Sequence, residues 1–380
     1  MQLVVDENIA LAEEAFLQFG DVLLIGGRQI TNAVLHNSDA LIVRSITNVD
    51  ENLLQSTNIK FVGTATIGTD HIDTNYLNEN NIPFADAKGC NADSVAEYVF
   101  TALLKITVDH KFTLKNKSIG IIGVGNIGSR VVKYAEALGL IVYKNDPPKQ
   151  RAGEGSNYVS LEEALQADII TLHVPLNKTG IDKTVHLINE EQLNKINDGS
   201  ILINTSRGAV VNNKALFDII DKKHFKVILD VWEGEPIINT DLLQKVLVGS
   251  AHVAGYSLEG KVNGTKMIYD ALCSFTNQLN DWKPKLPTVE NNIIDMSSEK
   301  NLEEKLHLIF KLIYNIEKDD SEMRKMIEMN NDSKTAHFDK LRKEYPLRRE
   351  FSNYTILINE TGKQLKGILE EFRFNIKIKC

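Results

Sequence analysis

Short aliphatic runs alternate with polar, helix-like stretches along most of the chain. Residues 3–5, 40–43 and 60–63 read as strands covered on both faces, because each run is brief and almost wholly aliphatic. Residues 9–19 and 49–55 read as helices between them. Residues 93–105 predict a long helix that carries the chain from a first domain into a second. The alternation then recurs more strongly. Residues 118–122, 140–144, 168–173, 200–204 and 226–229 predict five strands, with helices over 127–138, 160–166, 190–195 and 213–222. Such alternation folds as a parallel, doubly wound sheet. A further helix over 258–279 is placed to return the chain to its first domain. Lys283-Pro284-Lys285-Leu286-Pro287 is a stiff, non-helical connector. Beyond it, residues 302–317 predict a helix and 354–358 a strand.

Composition narrows the class. A chain of 380 residues exceeds what one hydrophobic core usually supports, so several domains are expected. With 43% hydrophobic and 25% charged residues it is an ordinary globular mixture. No apolar run is long enough to span a bilayer, and the acidic start lacks the basic end of a signal peptide, so neither membrane nor export is expected. A net charge of −8 disfavours a general nucleic-acid binder while leaving room for a local basic pocket. Cys90, Cys273 and Cys380 are scattered and form no CxxC pair, which disfavours a disulfide frame or a structural metal site and fits a reducing cytoplasm.

The first chemical motif is Gly123-Val124-Gly125-Asn126-Ile127-Gly128, between the aliphatic run 119–122 and a helix-like stretch. The first glycine permits a tight turn, the second lets a pyrophosphate approach the backbone, and the third lets helix and strand pack closely. Amide groups at the helix start then face the phosphates. Asp146 ends the next strand, where a carboxylate accepts from adenosine ribose hydroxyls and repels a 2′-phosphate. The pattern therefore points to NAD in preference to NADP.

A second constellation joins Arg207, Glu235 and His252, each just past a predicted strand or beyond the last one. Residues at the carboxyl ends of parallel strands face the crevice where such folds bind ligands. A histidine suits removal of a hydroxyl proton near neutral pH. A carboxylate beside it favours the imidazolium, and an arginine clamps a substrate carboxylate. Singly, each residue type is more often surface or structural.

The phrases around these residues closely resemble the D-isomer-specific 2-hydroxyacid dehydrogenases. Further matching phrases are Val5-Asp6-Glu7-Asn8, Val43-Arg44-Ser45, the stretch from Gly63 to His71, Lys88-Gly89-Cys90-Asn91-Ala92, Asp230 to Pro236 and Ala254 to Lys261. The resemblance implies an α/β protein with two doubly wound parallel-sheet domains: a Rossmann NAD domain over 94–257 and a flavodoxin-like substrate domain over 1–93 and 258–285. It also implies a C-terminal α+β dimerisation domain over 286–380, carried by the phrases 338–343 and 348–350. It implies NAD as cofactor, a small phosphorylated 2-hydroxyacid as substrate, and a homodimer. Residue by residue, it makes Arg207, Glu235 and His252 catalytic. It assigns NAD to Gly123, Gly125, Asn126, Ile127, Gly128, Asp146, Val174, Thr205, Asp230 and Gly255. It assigns substrate to Ser45, Thr66 and Tyr256, and Arg44 of the first domain is a further candidate for holding the substrate phosphate. Val174 stands where the family pattern has a hydroxyl residue, and Thr205-Ser206 where it has Ala-Cys.

Other residues have quieter expectations. His71 shapes a loop near the substrate carboxylate, His173 is structural, and Cys90 packs. The charged run 340–349 is by default a solvated face, although a symmetric dimer would bring Arg342 or Arg349 toward the partner subunit's cleft. Two alternatives stay open: another NAD-dependent D-hydroxyacid dehydrogenase, such as a phosphoglycerate dehydrogenase, and a non-enzymatic NAD-sensing protein.

Overall fold

Five parallel strands open the chain: β1 (Gln2–Asp6), β2 (Asp21–Ile25), β3 (Ala40–Val43), β4 (Phe61–Thr64) and β5 (Phe84–Asp86), in the order β2-β1-β3-β4-β5. That is the flavodoxin-like order. The computed structural model describes residues 1–296, 300–359 and 363–379; Cys380 lies outside them. Alternation along β1 separates two cores, with Leu3 and Val5 packing beside Phe16, Phe19, Tyr269 and Leu272, and Val4 beside Leu35, Leu41, Val62 and Leu77. The helix Leu258–Thr276 covers the first of these faces. It approaches so closely that a Cβ at Gly63 would lie 2.6 Å from Ile268 Cγ2. These elements form one compact unit, residues 1–91 with 257–288.

The second unit comprises residues 92–256 and 289–380. It begins with the buried helix Ala92–His110 and a six-stranded parallel sheet: β6 (Ser118–Ile122), β7 (Ile141–Asn145), β8 (Ile169–Leu172), β9 (Ile201–Asn204), β10 (Lys226–Leu229) and β11 (Val248–Gly249). The order is β11-β10-β9-β8-β6-β7, and a single parallel bridge from Lys144 to Tyr158 stands outside β7. Counting that bridge as a vestigial strand gives the order 3-2-1-4-5-6-7, which is the 3-2-1-4-5-6 order of a Rossmann sheet with β11 added at one edge, and its direction of winding reverses between β6 and β8.

The C-terminal part adds a three-stranded parallel sheet, β12 (Ile293–Asp295), β13 (Thr355–Ile358) and β14 (Asn375–Ile378), with helices at Leu302–Ile313, Ile316–Arg324, Asn331–Lys343 and Lys363–Glu371. Its apolar face shares a core with the Rossmann part. Phe372 stacks on Tyr134 at 4.3 Å between centroids and meets Phe100 edge-on at 5.4 Å. Phe310 and Phe351 continue the cluster.

Five strands go beyond the sequence reading: β2, β5, the two-residue β11, β12 and β14. The helix expected over 302–317 breaks at Tyr314, which adopts an extended backbone (φ −135°, ψ 104°). That break turns the Tyr314 ring inward, where Arg348 lies 3.9 Å from its centroid. The helix expected over 9–19 is one turn, Ala12–Phe16, followed by a 3₁₀ turn.

Candidate active site

The three glycines of the loop after β6 meet three different constraints. Gly123 has φ +87°, and a Cβ there would lie 2.7 Å from the His173 carbonyl oxygen. A Cβ at Gly125 would meet nothing within 4 Å, so the backbone faces open space at the position where a pyrophosphate needs close approach. A Cβ at Gly128 would lie 2.0 Å from the Gly123 carbonyl oxygen. Asn126 and Ile127 begin the helix Asn126–Ala137, whose first-turn amides have no intrahelical acceptor. The Asp146 carboxylate is already bound to this loop: Oδ2 accepts from the Val124 amide at 2.8 Å, and Oδ1 caps the next helix through the Lys149 amide at 3.1 Å.

His173 and Val174 follow β8. The His173 ring is buried between Thr171 Oγ1 (2.9 Å) and Thr205 Oγ1 (3.5 Å). Burial lowers its pKa from 6.5 to about 3, so it is neutral and no proton carrier at working pH. Val174 packs beside Gly123 and offers an apolar methyl group where a hydroxyl would donate.

Arg207 is set by a turn at the end of β9. Asn204 Oδ1 accepts from the Ser206 amide (3.0 Å) and hydroxyl (2.8 Å), and its side-chain amide donates to the Arg207 carbonyl (3.0 Å). Gly208 fits because the backbone of Trp232 leaves no room; a Cβ would lie 1.9 Å from it. Asn204 went unnoticed in the sequence, since its work is side chain to backbone and carries no periodicity.

Glu235 and His252 meet after β10 and β11. Glu235 Oε1 accepts from the Trp232 amide at 2.7 Å, and Oε2 lies 2.8 Å from His252 Nδ1. Burial works to raise the Glu235 pKa, but the charge and hydrogen bond of His252, with the Trp232 amide, outweigh it and hold it below the usual carboxylate value. His252 sits in the left-handed region at φ 57°. Its turn is held by Asp230, which is fully buried. Asp230 Oδ1 accepts from Ser250 Oγ (2.6 Å) and the Val253 amide (2.8 Å), and Oδ2 from the Ala254 amide (3.0 Å). These bonds give Asp230 a positioning task inside the chain, before Gly255.

Tyr256 closes this turn. Its hydroxyl accepts from Arg342 Nε at 3.2 Å, and its ring meets Tyr345 edge-on at 5.7 Å. Arg342 therefore engages the site of its own chain, and its charge is felt by Glu235. Arg349 is buried and donates to Asn353 Oδ1 at 2.9 Å, while Arg348 is buried and donates to backbone carbonyls. The run 340–349 is thus split: Lys340, Lys343 and Glu344 are solvated, and the last two arginines are interior.

In the first unit, Arg44 follows β3 and donates through Nε to the buried Asp6 carboxylate at 3.1 Å. Ser45 is exposed beside it. Thr66 Oγ1 lies 2.8 Å from Thr64 Oγ1, which is 3.0 Å from His71 Nε2; this chain shapes the loop after β4. Cys90 lies against Gly264, with its carbonyl accepting from Asn263. Lys261 stands in the same unit, and nothing in its sequence spacing marks it. Local burial of its ammonium, then the nearby Arg44 charge, lowers its pKa, so the two cations converge on one region.

A family profile described as the NAD binding domain of D-isomer specific 2-hydroxyacid dehydrogenases matches residues 104–254, and one described as a domain of unknown function (DUF3410) matches 285–368. The erythronate-4-phosphate dehydrogenase of Proteus mirabilis is 43% identical over 364 residues, 94% of this chain and 95% of its own. That of Yersinia enterocolitica is 42% identical over 382 residues, covering 100% of both. The chain belongs to the erythronate-4-phosphate dehydrogenase family of D-isomer specific 2-hydroxyacid dehydrogenases. A D-lactate dehydrogenase from Aquifex aeolicus, solved with NAD and lactic acid, is similar in fold at a TM-score of 0.59, with 26% identity over 73% of this chain and 96% of that one. An NAD-bound 3-phosphoglycerate dehydrogenase from Entamoeba histolytica is similar at a TM-score of 0.63, with 24% identity over 73% of this chain and 95% of that one.

As a member of that family the chain is an NAD-dependent oxidoreductase. The residues present fit the cofactor: open space at Gly125, helix-start amides behind it and a carboxylate at Asp146 are what a dinucleotide requires. Among the described residues no helix is long and apolar enough to cross a membrane.

Proposed function

We propose that the chain oxidises 4-phospho-D-erythronate at C2 to 2-oxo-3-hydroxy-4-phosphobutanoate, a step of pyridoxal 5′-phosphate (vitamin B6) biosynthesis in the cytoplasm. The Glu235–His252 pair carries this reading. Glu235 accepts from Nδ1–H, which leaves the Nε2 lone pair for the C2 hydroxyl proton. Protonation then gives an imidazolium beside an ionised carboxylate. Arg207 holds the substrate carboxylate and polarises the forming carbonyl. Bound NAD supplies the nicotinamide that accepts the hydride. Gly123, Gly125, Asn126, Ile127, Gly128, Asp146, Val174, Thr205, Asp230 and Gly255 are the residues that would hold NAD.

Arg44, Ser45, Thr66 and Tyr256 are the substrate residues in this reading. The substrate phosphate calls for guanidinium donors, and Arg342 beside Tyr256 supplies them in the same chain. The substrate domain is then 1–93 with 258–285, the NAD domain 94–257, and residues 286–380 the segment that pairs two copies. Exposed Ile293, Leu312, Leu347 and Ile378 support that pairing. The test is NAD reduction with 4-phosphoerythronate, 3-phosphoglycerate and unphosphorylated erythronate. Marked preference for the first is expected; equal or better turnover of 3-phosphoglycerate would reassign the substrate, and no reduction with any would favour a binding protein.

A further inference from the structure

Arg348 is a buried charge with an unusual pair of partners. Its side chain is 3% exposed. Nη1 donates to the Ala254 carbonyl at 2.9 Å and Nη2 to the Ser94 carbonyl at 2.8 Å. The guanidinium lies over the Tyr314 ring, and Nη2 is 3.7 Å from Glu97 Oε2. Burying an ion in this way is seldom the most stable filling of a core, so a buried guanidinium aimed at two backbone carbonyls points to placement.

The two carbonyls are informative. The chain passes from its first unit to its second at 91/92 and back at 256/257. Ser94 lies just after one passage and Ala254 just before the other. The Ala254 peptide is also clamped on its other side, where its amide donates to Asp230 Oδ2. His252 is two residues away, and its own amide donates to the Asp230 carbonyl at 2.7 Å.

We infer that Arg348 is a positioning residue for the reaction, joining the start of the helix Ala92–His110 to the turn that carries His252 and so fixing where the imidazole stands. The C-terminal segment thereby serves the chemistry of its own chain. This rests on His252 as the proton acceptor.

The test compares full-length Arg348→Lys, Arg348→Met and His252→Ala. Lysine keeps the charge but cannot reach both carbonyls in a fork. Displacing a reacting group by about an ångström can cost roughly 100-fold, so both Arg348 variants should lose about 10-fold to 100-fold in kcat while KM for NAD stays within about twofold. Lysine should recover little of the methionine loss. Folded Arg348 variants with normal kcat overturn the inference. If neither folds, Arg348→Gln, whose single amide group cannot hold both carbonyls, decides: an unchanged kcat there also overturns it. Near-normal turnover in His252→Ala would instead remove the reading on which the inference rests.

Discussion

His252 Nδ1 lies 2.8 Å from Glu235 Oε2, and the other oxygen of that carboxylate is fixed by the Trp232 amide. One hydrogen bond thus selects the tautomer and the other selects the rotamer. His252→Ala should lower turnover by roughly 100-fold to 10,000-fold with NAD affinity nearly unchanged. Glu235→Gln keeps the shape but loses the charge that favours the imidazolium, and it should cost at least about 100-fold in kcat by steady-state assay. Normal turnover in either variant would move proton transfer elsewhere.

Asp146 is tied to the Val124 amide in the glycine loop, so its carboxylate stands ready for ribose hydroxyls. Asp146→Ser should weaken NAD binding and narrow the preference over NADP, read by titrating both cofactors. Unmutated protein that used both equally would contradict this assignment.

His173 gives a pH signature of stability. Its folded pKa of about 3 lies below the unfolded value of 6.5, so the unfolded chain binds the extra proton between those values. Its contribution is fully present above pH 6.5 and is lost as pH falls toward 3, at up to about 1.4 kcal/mol per pH unit. Urea unfolding of His173→Gln should show a shallower loss across that window than the unmutated chain. Parallel curves would show that the ring does not titrate as its burial requires.

Arg342 donates to Tyr256 within one chain. A charge-assisted bond to phosphate contributes about 1.5 to 3 kcal/mol, so Arg342→Ala should raise KM for the phosphorylated substrate by about 10-fold to 100-fold and leave KM for NAD alone. If KM for substrate stays put, Arg44 and Lys261 become the phosphate holders.

The C-terminal part shares a core with the Rossmann part, so the two should unfold together. Phe372→Ala removes the ring stacked on Tyr134 and should cost about 3 to 5 kcal/mol, seen as a lower midpoint in a single cooperative transition. Removal of residues after Leu286 would expose Phe100 and Tyr134 and leave buried Glu97 without Arg348 and the Phe351 amide. A soluble, folded truncated chain would show that the shared core is dispensable. Sedimentation of Leu312→Glu and Leu347→Glu tests pairing; a persistent dimer in both would place the interface elsewhere.

The strands that were legible in the sequence are aliphatic on both faces, as at 118–122 and 226–229. β2 escaped notice because it is an edge strand with exposed Leu23 and Leu24, so its pattern does not report burial. The Gly123–Gly128 loop was readable because each glycine answers a local backbone demand. Arg342, Asn204 and Asp230 were not readable in their observed settings. Their partners are backbone groups or side chains fixed by tertiary packing, and sequence spacing carries no trace of that. The break at Tyr314 has the same origin, since a buried guanidinium holds the ring where helical periodicity alone would continue.

The strand orders also say where non-native association should start. The six-stranded sheet ends in the two-residue β11 on one side and in β7 on the other, where Lys144 is bridged to Tyr158 and Ile141 is the one large apolar side chain among the described residues of that strand that faces solvent. The first sheet is different. Its β2 edge runs five residues with Leu23 and Leu24 toward solvent, a template for strand addition by another chain. Misassembly on concentration or mild heating is therefore a property of the first unit, and a lysine at Leu23 should suppress it without touching the site.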